Sequence, residues 1–170
     1  MVEIAFVAES EITILRDLAE ETFVETFEAQ NSAKTIAVYI ADAFAIDRVT
    51  AEYHEPRSQF YFARQEGAIA GYLKLNEDSA KTEQDMLAAM EIERIYARQS
   101  FHGKGIGKAM LEAAVTAAHN AQVDWLWLGV WEENPRAIAF YERNGFERFG
   151  RHVFMMGNEA QTDILMRRRV

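Results

Sequence analysis

The segment that most limits how this chain can fold is His102–Lys108, where three glycines alternate with larger residues. The strand-forming run Met90–Ala97 precedes it, and apolar residues at helical spacing follow it. Glycines let backbone N–H groups approach an anion closely, and a helix start adds unpaired donors and a favourable dipole. Lys104 and Lys108 add positive charge. The sequence therefore predicts a strand–loop–helix unit that binds a phosphate; a glycine-rich turn without a ligand is the alternative.

Two common phosphate-binding motifs do not fit this segment. A P-loop needs Gly-x4-Gly-Lys-Ser/Thr. Anchoring that pattern on Gly107 and Lys108 places His102 at the first glycine and Ala109 at the hydroxyl position. The dinucleotide pattern Gly-x-Gly-x-x-Gly, started at Gly103, places Lys108 at its third glycine. The loop therefore belongs to a different class of anion site.

The rest of the chain alternates between patterns typical of helices and of strands. Three helical stretches are expected between residues 10 and 54, a fourth after the glycine loop, and a fifth from Asn134-Pro135 to Asn144-Gly145. Strands are predicted at Val2–Ala8, Gln59–Gln65, Ala68–Leu75, Met90–Ala97, Val123–Trp131, Phe149–Met156 and Thr162–Met166. A helix that follows the glycine loop implies locally parallel strands, so the pattern predicts a mixed α/β fold.

Composition and charge exclude several classes of function. The chain has no cysteine, which excludes a disulfide scaffold and thiol chemistry, and its four histidines lack metal-ligand spacing, so no metal is expected. The net charge of −9 lies wholly in residues 1–55, which contain 12 acidic and 3 basic residues. Such an acidic chain is not expected to bind nucleic acid, because it would repel the phosphate backbone. Without a membrane-length apolar run or a basic N-terminal region, we expect a cytoplasmic protein with no membrane partner.

Two segments resemble the motifs of a known superfamily. The loop Gly103-Lys104-Gly105-Ile106-Gly107 is similar to motif A of the GNAT (Gcn5-related) acetyl-CoA-dependent N-acetyltransferases, which reads Gln/Arg-x-x-Gly-x-Gly/Ala. Residues 134–146 resemble motif B, Asn-x-x-Ala-x-x-x-Tyr-x-x-x-Gly-Phe. The resemblance implies one N-acetyltransferase domain over residues 1–170. Its central sheet should be mixed and mostly antiparallel, carry helices on both faces, and splay between Met90–Ala97 and Val123–Trp131 to admit acetyl-CoA.

Shorter stretches narrow the resemblance within the superfamily. Thr22-Phe23 to Thr26-Phe27, Glu91–Tyr96, and the tail segments His152–Gly157 and Asp163–Met166 are similar to bacterial PaiA-like polyamine N-acetyltransferases. This similarity implies transfer of an acetyl group to a primary amine, with spermidine or spermine as the most plausible small-molecule acceptor. Acetylation of a peptide N-terminus or a lysine, or a non-catalytic CoA-binding sensor domain, are the alternatives. Many relatives are dimers, so a homodimer is also expected.

The resemblance also assigns candidate cofactor-binding residues. The strand before the loop would pair with the pantetheine arm, and the loop would wrap the pyrophosphate. In the motif B segment, Asn134 would meet the arm, Phe140 the adenosine end and Arg143 the 3′-phosphate. His102 stands where the family has Gln or Arg, and an imidazole there would make cofactor binding depend on pH. The residues so assigned are Ile95, Tyr96, Ala97, His102, Gly103, Lys104, Gly105, Ile106, Gly107, Asn134, Phe140, Tyr141 and Arg143.

Three residues carry the expected chemistry. Tyr141 matches the family tyrosine that protonates the departing thiolate, and a phenol is a suitable donor. Glu91, and second Glu93, would remove the proton of the cationic amine, directly or through water. By strand parity both glutamates should share a face with Ile95 and Ala97. A backbone N–H near Ile95 would stabilise the oxyanion.

The acidic first third suggests how the acceptor is attracted. Glu21, Glu25 and Glu28 fall on one face of the first long helix, which borders the acceptor site in GNAT folds. They would present negative charge to a polycation. A solvated acidic helix face that aids solubility is the alternative.

Overall fold

The computed structural model describes residues 1–83 and 88–170. Seven strands are present: β1 Val2–Phe6, β2 Ser58–Gln65, β3 Ala68–Asn76, β4 Ala89–Ala97, β5 Trp125–Trp131, β6 Glu147–Met156 and β7 Glu159–Arg169. Five α-helices are present: α1 Ile12–Phe27, α2 Ala33–Ala43, α3 Ile46–Tyr53, α4 Ile106–Asn120 and α5 Pro135–Arg143. None of the helices in the described ranges is long and apolar enough to span a bilayer.

The strands form one sheet in the order β1-β2-β3-β4-β5-β7-β6. Within the described residues, β4 and β5 pair in parallel and the other five neighbouring pairs are antiparallel. The parallel pair is the one joined through α4, since a parallel connection needs a crossover. The expected mixed, mostly antiparallel α/β sheet is confirmed.

Helices cover both faces of this sheet, as expected. On one face, α4 and α5 pack through residues such as Met110, Leu111 and Ile138 onto Leu73, Ile92 and the alternating leucines of β5. On the other face, α1 to α3 pack through Leu15, Phe23, Phe44 and Val49 onto Phe60, Phe62 and Tyr72. These are called below the α4–α5 face and the α1–α3 face. β3, β4 and β5 lie in the middle of the sheet and are covered on both faces, but β3 and β4 carry buried polar side chains, such as Lys74, Asn76 and Glu91, among their apolar ones.

The sheet is splayed between β4 and β5. Only four residue pairs join these strands, from Ala89 with Trp125 to Ile92 with Leu128. Beyond them β4 continues to Ala97 with β3 as its partner, whereas β5 continues to Trp131 with β7 as its partner. The two central strands thus diverge and leave a fork, which confirms the expected cleft.

The tail strands are longer than the sequence pattern predicted. β7 runs from Glu159 to Arg169, instead of from Thr162 to Met166, because the ladder with β5 continues to the pair Trp125–Arg169. Arg167 places its guanidinium carbon 4.5 Å from the centre of the Trp125 ring, so an aromatic side chain supports this arginine-rich end of the strand.

Candidate active site

The glycine loop presents open backbone donors at the start of α4. A short 3-10 turn, Gln99–Phe101, leads from β4 to Gly103 and Gly105, whose φ angles are +78° and +85°. Apart from the adjoining residues, no atom of the described ranges lies within 4 Å of the positions where their Cβ atoms would stand. Gly105 caps α4 without a side-chain hydrogen bond, so the first N–H groups of the helix remain available. This cradle fits a pyrophosphate.

Gly107 and Phe140 join the two helices that flank the cradle. A Cβ atom on Gly107 would lie 3.6 Å from the Phe140 ring, an ordinary contact distance, so α5 packs against α4 at this point without requiring glycine. Phe140 is half-buried in that contact. On the loop itself, the Nζ of Lys104 lies 4.9 Å from the centre of the Phe101 ring. Contacts of Phe140 and Lys104 with the cofactor stay predictions.

His102 bridges the end of β4 to the start of α5. One ring nitrogen, Nε2, lies 3.0 Å from the carbonyl oxygen of Ala97, and Nδ1 lies 3.0 Å from the Nη1 of Arg136. Arginine can only donate, so Nδ1 accepts, and the Nε2–H donates to Ala97. This arrangement requires a neutral imidazole. It also occupies one lone pair of the Ala97 carbonyl, which was expected to meet the pantetheine arm.

The cation that the structure brings to the glycine loop is Arg136, which the sequence reasoning missed. Arg143, the expected phosphate ligand, is exposed seven residues further along, at the last turn of α5. That spacing corresponds to about 10 Å of helix. The sequence does contain an indication of this role. Arg136 directly follows Asn134-Pro135, and so lies in the first turn of the helix that comes after β5.

Asn134 caps α5 as its sequence suggested. Its Oδ1 accepts a hydrogen bond from the N–H of Ala137 at 3.1 Å, and Pro135 occupies the first helical position. The Nδ2 of the amide and the second lone pair of Oδ1 are left to meet a ligand. A role toward the pantetheine arm stays a prediction and would add to the cap.

Tyr141 lies on the α4–α5 face of the sheet. Its side chain is buried between Phe140 and Phe146, with ring centroids 5.3 Å and 5.7 Å away. Burial raises the pKa of Tyr141. The phenol is therefore fully protonated near neutral pH, the state that a proton donor needs.

A β-bulge at Glu93 changes which face of the sheet each residue of β4 occupies. Lys74 is opposite Arg94 and Leu75 is opposite Ile92, so Glu93 is the extra residue. Met90 and Ile92 before the bulge, and Ile95 and Ala97 after it, all pack on the α4–α5 face. The expected shared face for the glutamates and Ile95 is therefore wrong, since parity reverses at a bulge. Glu91 and Glu93 instead share the α1–α3 face.

Glu91 is buried without a cation beside it in the described chain. Its carboxylate accepts hydrogen bonds from the backbone N–H of Thr82 at 2.7 Å, from the hydroxyl of Thr82, and from the Nδ2 of Asn76 at 3.3 Å. Burial raises the pKa of Glu91, and the Thr82 hydrogen bonds oppose that rise. A carboxylate with a raised pKa is better matched to accepting a proton near neutral pH.

Glu93 has a different environment, although only one residue separates the two. Its carboxylate lies 2.6 Å from the Nζ of Lys74 and 3.2 Å from Arg94, and it accepts a hydrogen bond from Asn76 at 2.5 Å. Both cations also pair with Glu52 of α3 at 2.8 Å. Burial alone would raise the pKa of Glu52, but Arg94 and Lys74 lower it below its ordinary value.

The backbone of β4 beyond the bulge lines one side of the fork. Ile95 and Ala97 pack toward α4, whereas Tyr96 points to the α1–α3 face, with its ring 6.0 Å from that of Tyr72. Because β5 pairs with β4 only as far as Ile92, the backbone edge of these residues that faces the fork has no strand beside it. Their expected contacts with the pantetheine arm stay predictions.

Two of the three acidic residues expected to attract the acceptor are tied to the glycine-loop segment. Glu21 forms an ion pair with Arg98 at 2.9 Å, and Glu25 accepts a hydrogen bond from the N–H of Gln99 at 2.8 Å. Glu28 is exposed beside a shallow groove between α1 and α2. These contacts give Glu21 and Glu25 a structural role, in holding α1 against the start of the loop.

A titratable pair that sequence reasoning named only in passing lies beside the fork. His152 on β6 and Asp163 on β7 are opposite each other, and the Nε2 of His152 is 3.9 Å from the Oδ2 of Asp163. Burial raises the pKa of Asp163 to about 6, with Glu132 adding to the rise and His152 opposing it. The available sequence signal was Gly129, a glycine inside an otherwise bulky strand.

Within residues 1–83 and 88–170, no group of three or more His, Cys, Asp or Glu side chains is arranged to hold a metal ion. The residues present fit coenzyme A instead, because the glycine cradle is open exactly where side chains would block an approaching anion.

Comparison with known proteins identifies the family. Residues 14–146 match the Acetyltransferase (GNAT) family. An uncharacterized N-acetyltransferase from the pepI 3′ region of Lactobacillus delbrueckii subsp. lactis is 39% identical over 167 residues, which cover 98% of this chain and 96% of that protein. The spermine/spermidine N(1)-acetyltransferase of Bacillus subtilis is 26% identical over 102 residues, covering 59% of this chain and 64% of that one.

Solved structures share the same fold. The PaiA N-acetyltransferase of Thermoplasma acidophilum, crystallised in complex with coenzyme A, superposes with a TM-score of 0.81 over 100% of this chain and 99% of that one, at 19% identity. The fork, the glycine cradle and the family match agree, and this chain belongs to the GNAT family of acetyl-CoA-dependent N-acetyltransferases.

Proposed function

We propose that this enzyme transfers an acetyl group directly to a primary amine of a polyamine such as spermidine or spermine, in the cytoplasm. The limited similarity to the spermine/spermidine acetyltransferase of Bacillus subtilis supports this acceptor. The acidic first third of the chain supports it as well, because a negative field attracts polycations.

The observation that carries the proposal is the position of the proton-transfer groups. Tyr141 lies on the α4–α5 face, and Glu91 lies on the α1–α3 face. The two faces communicate through the fork between β4 and β5. A donor on one face and an acceptor on the other suit a reaction in which one substrate loses a proton and the other gains one.

Each group then has a defined task. Acetyl-CoA supplies the acyl group and a thiolate leaving group. Backbone N–H groups of the glycine cradle hold the pyrophosphate, and a backbone N–H near Ile95 stabilises charge that develops on the carbonyl oxygen. Glu91 takes the proton of the ammonium group through water, because its side chain is only 3% exposed. Tyr141 donates its proton to the thiolate, and no covalent enzyme intermediate is needed.

A thiol-release assay tests the proposal. The enzyme is incubated with acetyl-CoA and, separately, spermidine, spermine, putrescine, lysine, an aminoglycoside or short peptides. We expect turnover with spermidine or spermine and a loss of about 100-fold in kcat in the Tyr141→Phe variant, as for removal of a general acid. Turnover with peptides alone would contradict the polyamine assignment, and binding of acetyl-CoA without any turnover would contradict the enzymatic role.

A further inference from the structure

The pair formed by Asp163 and His152 is not used by the mechanism above, yet it lies where the acceptor would enter. Asp163 is opposite Trp131 on the diverging end of β5, three residues beyond Leu128, where the pairing with β4 ends. The side chain of Asp163 is 18% exposed and that of His152 is 27% exposed. The pair is therefore partly buried but can be reached from outside.

Gly129 makes room for this pair. A Cβ atom on Gly129 would lie 2.9 Å from the Oδ2 of Asp163 and 3.3 Å from the Cε1 of His152. The φ angle of Gly129 is not in the left-handed region, so the backbone does not require glycine there. The remaining reason for glycine in this bulky strand is the space that the carboxylate and the imidazole occupy.

Asp163 has no lysine or arginine as an ion-pair partner in the described ranges. Its charged neighbours are His152 and the carboxylate of Glu132, and Arg151 pairs with Glu132 at 3.8 Å. The other ring nitrogen of His152, Nδ1, lies 4.0 Å from the Oε1 of Glu83 and is buried without a hydrogen-bond partner among the described residues. A partly buried carboxylate without a compensating positive group is unfavourable, and a cationic ligand can supply that group.

The pair also lies close to the reacting part of the fork. The pairing of β5 with β4 ends at Leu128, and Asp163 lies opposite Trp131 on the part of β5 that has left β4. Burial raises the pKa of Tyr96 on β4, with Tyr72, Tyr39 and Asp163 adding to the rise. A cation held at Asp163 would therefore lie beside the fork.

We propose that Asp163 and His152 bind the ammonium group of the acceptor and so select a cationic primary amine. Asp163 supplies the negative charge that pairs with the ammonium group, and the partly exposed imidazole of His152 lies beside it as a second polar contact. This inference rests on the proposed function, because it names the residues that recognise the acceptor. It assigns the pair a binding role, and leaves proton removal to Glu91.

The Asp163→Asn variant tests the proposal, with spermidine as the probe. We expect the KM for spermidine to rise about tenfold or more, as for loss of a charge-assisted hydrogen bond, while kcat at saturating spermidine and the KM for acetyl-CoA change less than about threefold. The melting temperature should rise, because an uncompensated carboxylate is removed. A structural role would instead lower the melting temperature.

Two further variants complete the test. Gly129→Ala keeps the charge of Asp163 but places a methyl group where the carboxylate lies. We expect this variant also to bind spermidine more weakly, as measured by calorimetry in the presence of CoA. Glu147→Gln, an exposed acidic residue on β6 that pairs with Arg167, is the matched control and should change nothing. An unchanged KM for spermidine in Asp163→Asn, or a fall in kcat alone, would overturn the proposal.

The inference and the proposed function can fail separately. Wild-type enzyme that acetylates spermidine, together with an Asp163→Asn variant of normal KM, would overturn only the role of the pair. Wild-type enzyme that acetylates no polyamine would overturn the proposed function, and with it this inference.

Discussion

Two clusters of charged residues lie on the α1–α3 face of the sheet, and they differ in how their charges are balanced. In the Glu93 cluster, formed by Glu52, Lys74, Glu93 and Arg94, two buried cations meet two carboxylates at 2.6 Å to 3.2 Å. In the Asp163 cluster, formed by Glu83, His152 and Asp163, carboxylates approach only a histidine, at 3.9 Å to 4.0 Å.

This difference distinguishes charged side chains that stabilise the fold, in the Glu93 cluster, from charged side chains that are available to bind a ligand, in the Asp163 cluster. Glutamates and cations of the Glu93 cluster satisfy one another and anchor α3 to β3 and β4, so a substrate would gain little there. The Asp163 cluster is short of positive charge beside the fork. Glu91 resembles the Asp163 cluster in this respect. Thr82 and Asn76 donate hydrogen bonds to its carboxylate, but no cation among the described residues neutralises it.

The largest effect is expected on breaking the Glu93 cluster. Arg94→Met leaves Glu52 and Glu93 with Lys74 as the one buried cation among the described residues that contacts both, and we expect the free energy of unfolding to fall by about 3–5 kcal/mol. Urea denaturation measures it. Arg48→Met is the control, since Arg48 also contacts Glu52, at 3.4 Å, but is 48% exposed; its loss should stay under about 1 kcal/mol. Equal losses would mean that the cluster has no special structural role.

The next effect distinguishes Glu91 from Glu93. We expect Glu91→Gln to lower kcat about 100-fold or more, as for loss of a general base, with little change in stability. Glu93→Gln should mainly lower the free energy of unfolding, because it leaves Lys74 and Arg94 short of a partner. Steady-state kinetics beside urea denaturation of both variants measure this. The reverse pattern would move the base to Glu93.

The pKa of Asp163 predicts how stability depends on pH. Its value is raised from 3.8 to about 6 in the folded protein, so the folded state holds this proton more tightly than the unfolded state. The contribution to the free energy of unfolding therefore increases as the pH falls from above 6 toward 3.8, and the charged carboxylate is unfavourable at pH 7.

Asp163→Asn should remove that dependence. We expect the variant to be more stable than wild type by about 3 kcal/mol at pH 7.5, with the difference shrinking toward pH 4.5 in chemical denaturation. A difference that does not change with pH would show that Asp163 has an ordinary pKa, and a less stable variant at pH 7.5 would show that its charge is structurally paired.

The smallest effect is expected on replacing Arg136, a cation near the glycine loop. Arg136 donates to the neutral ring of His102 and forms no ion pair with a carboxylate among the described residues. We expect Arg136→Gln to raise the KM for acetyl-CoA about threefold to tenfold without changing the KM for the amine. Arg143→Gln, at the far end of α5, is the matched control. An equal effect from Arg143 would restore the original assignment.

Local sequence signals predicted the parts of the site that depend on local structure. The glycines of the cradle, the Asn134 cap with Pro135, and the strand that is apolar on both faces each identify an element from its own residues. These elements, with the motif resemblance, were enough to predict the fork between β4 and β5. Pattern sufficed for the elements themselves, because each buries its apolar face in the expected way, whereas the fork was implied by the motif resemblance.

Features of the site that depend on strand register could not be predicted from the local sequence. The bulge at Glu93 reverses the parity of β4, and its position is defined by Lys74 and Leu75 on a neighbouring strand. The approach of His152 to Asp163 likewise depends on the ladder between β6 and β7, and their closeness to Gly129 depends on β7 lying between β5 and β6. Such partners are distant in sequence, so periodicity carries no information about them.

The most direct test of the account is a crystal structure of the enzyme with a bisubstrate analogue in which spermidine is joined to the sulfur of coenzyme A. We expect the pyrophosphate at the N–H groups of Gly103 to Gly107, the sulfur beside Tyr141, and an ammonium group of the polyamine at Asp163 and His152. A polyamine chain that lies along α1 near Glu28, away from Asp163, would contradict it.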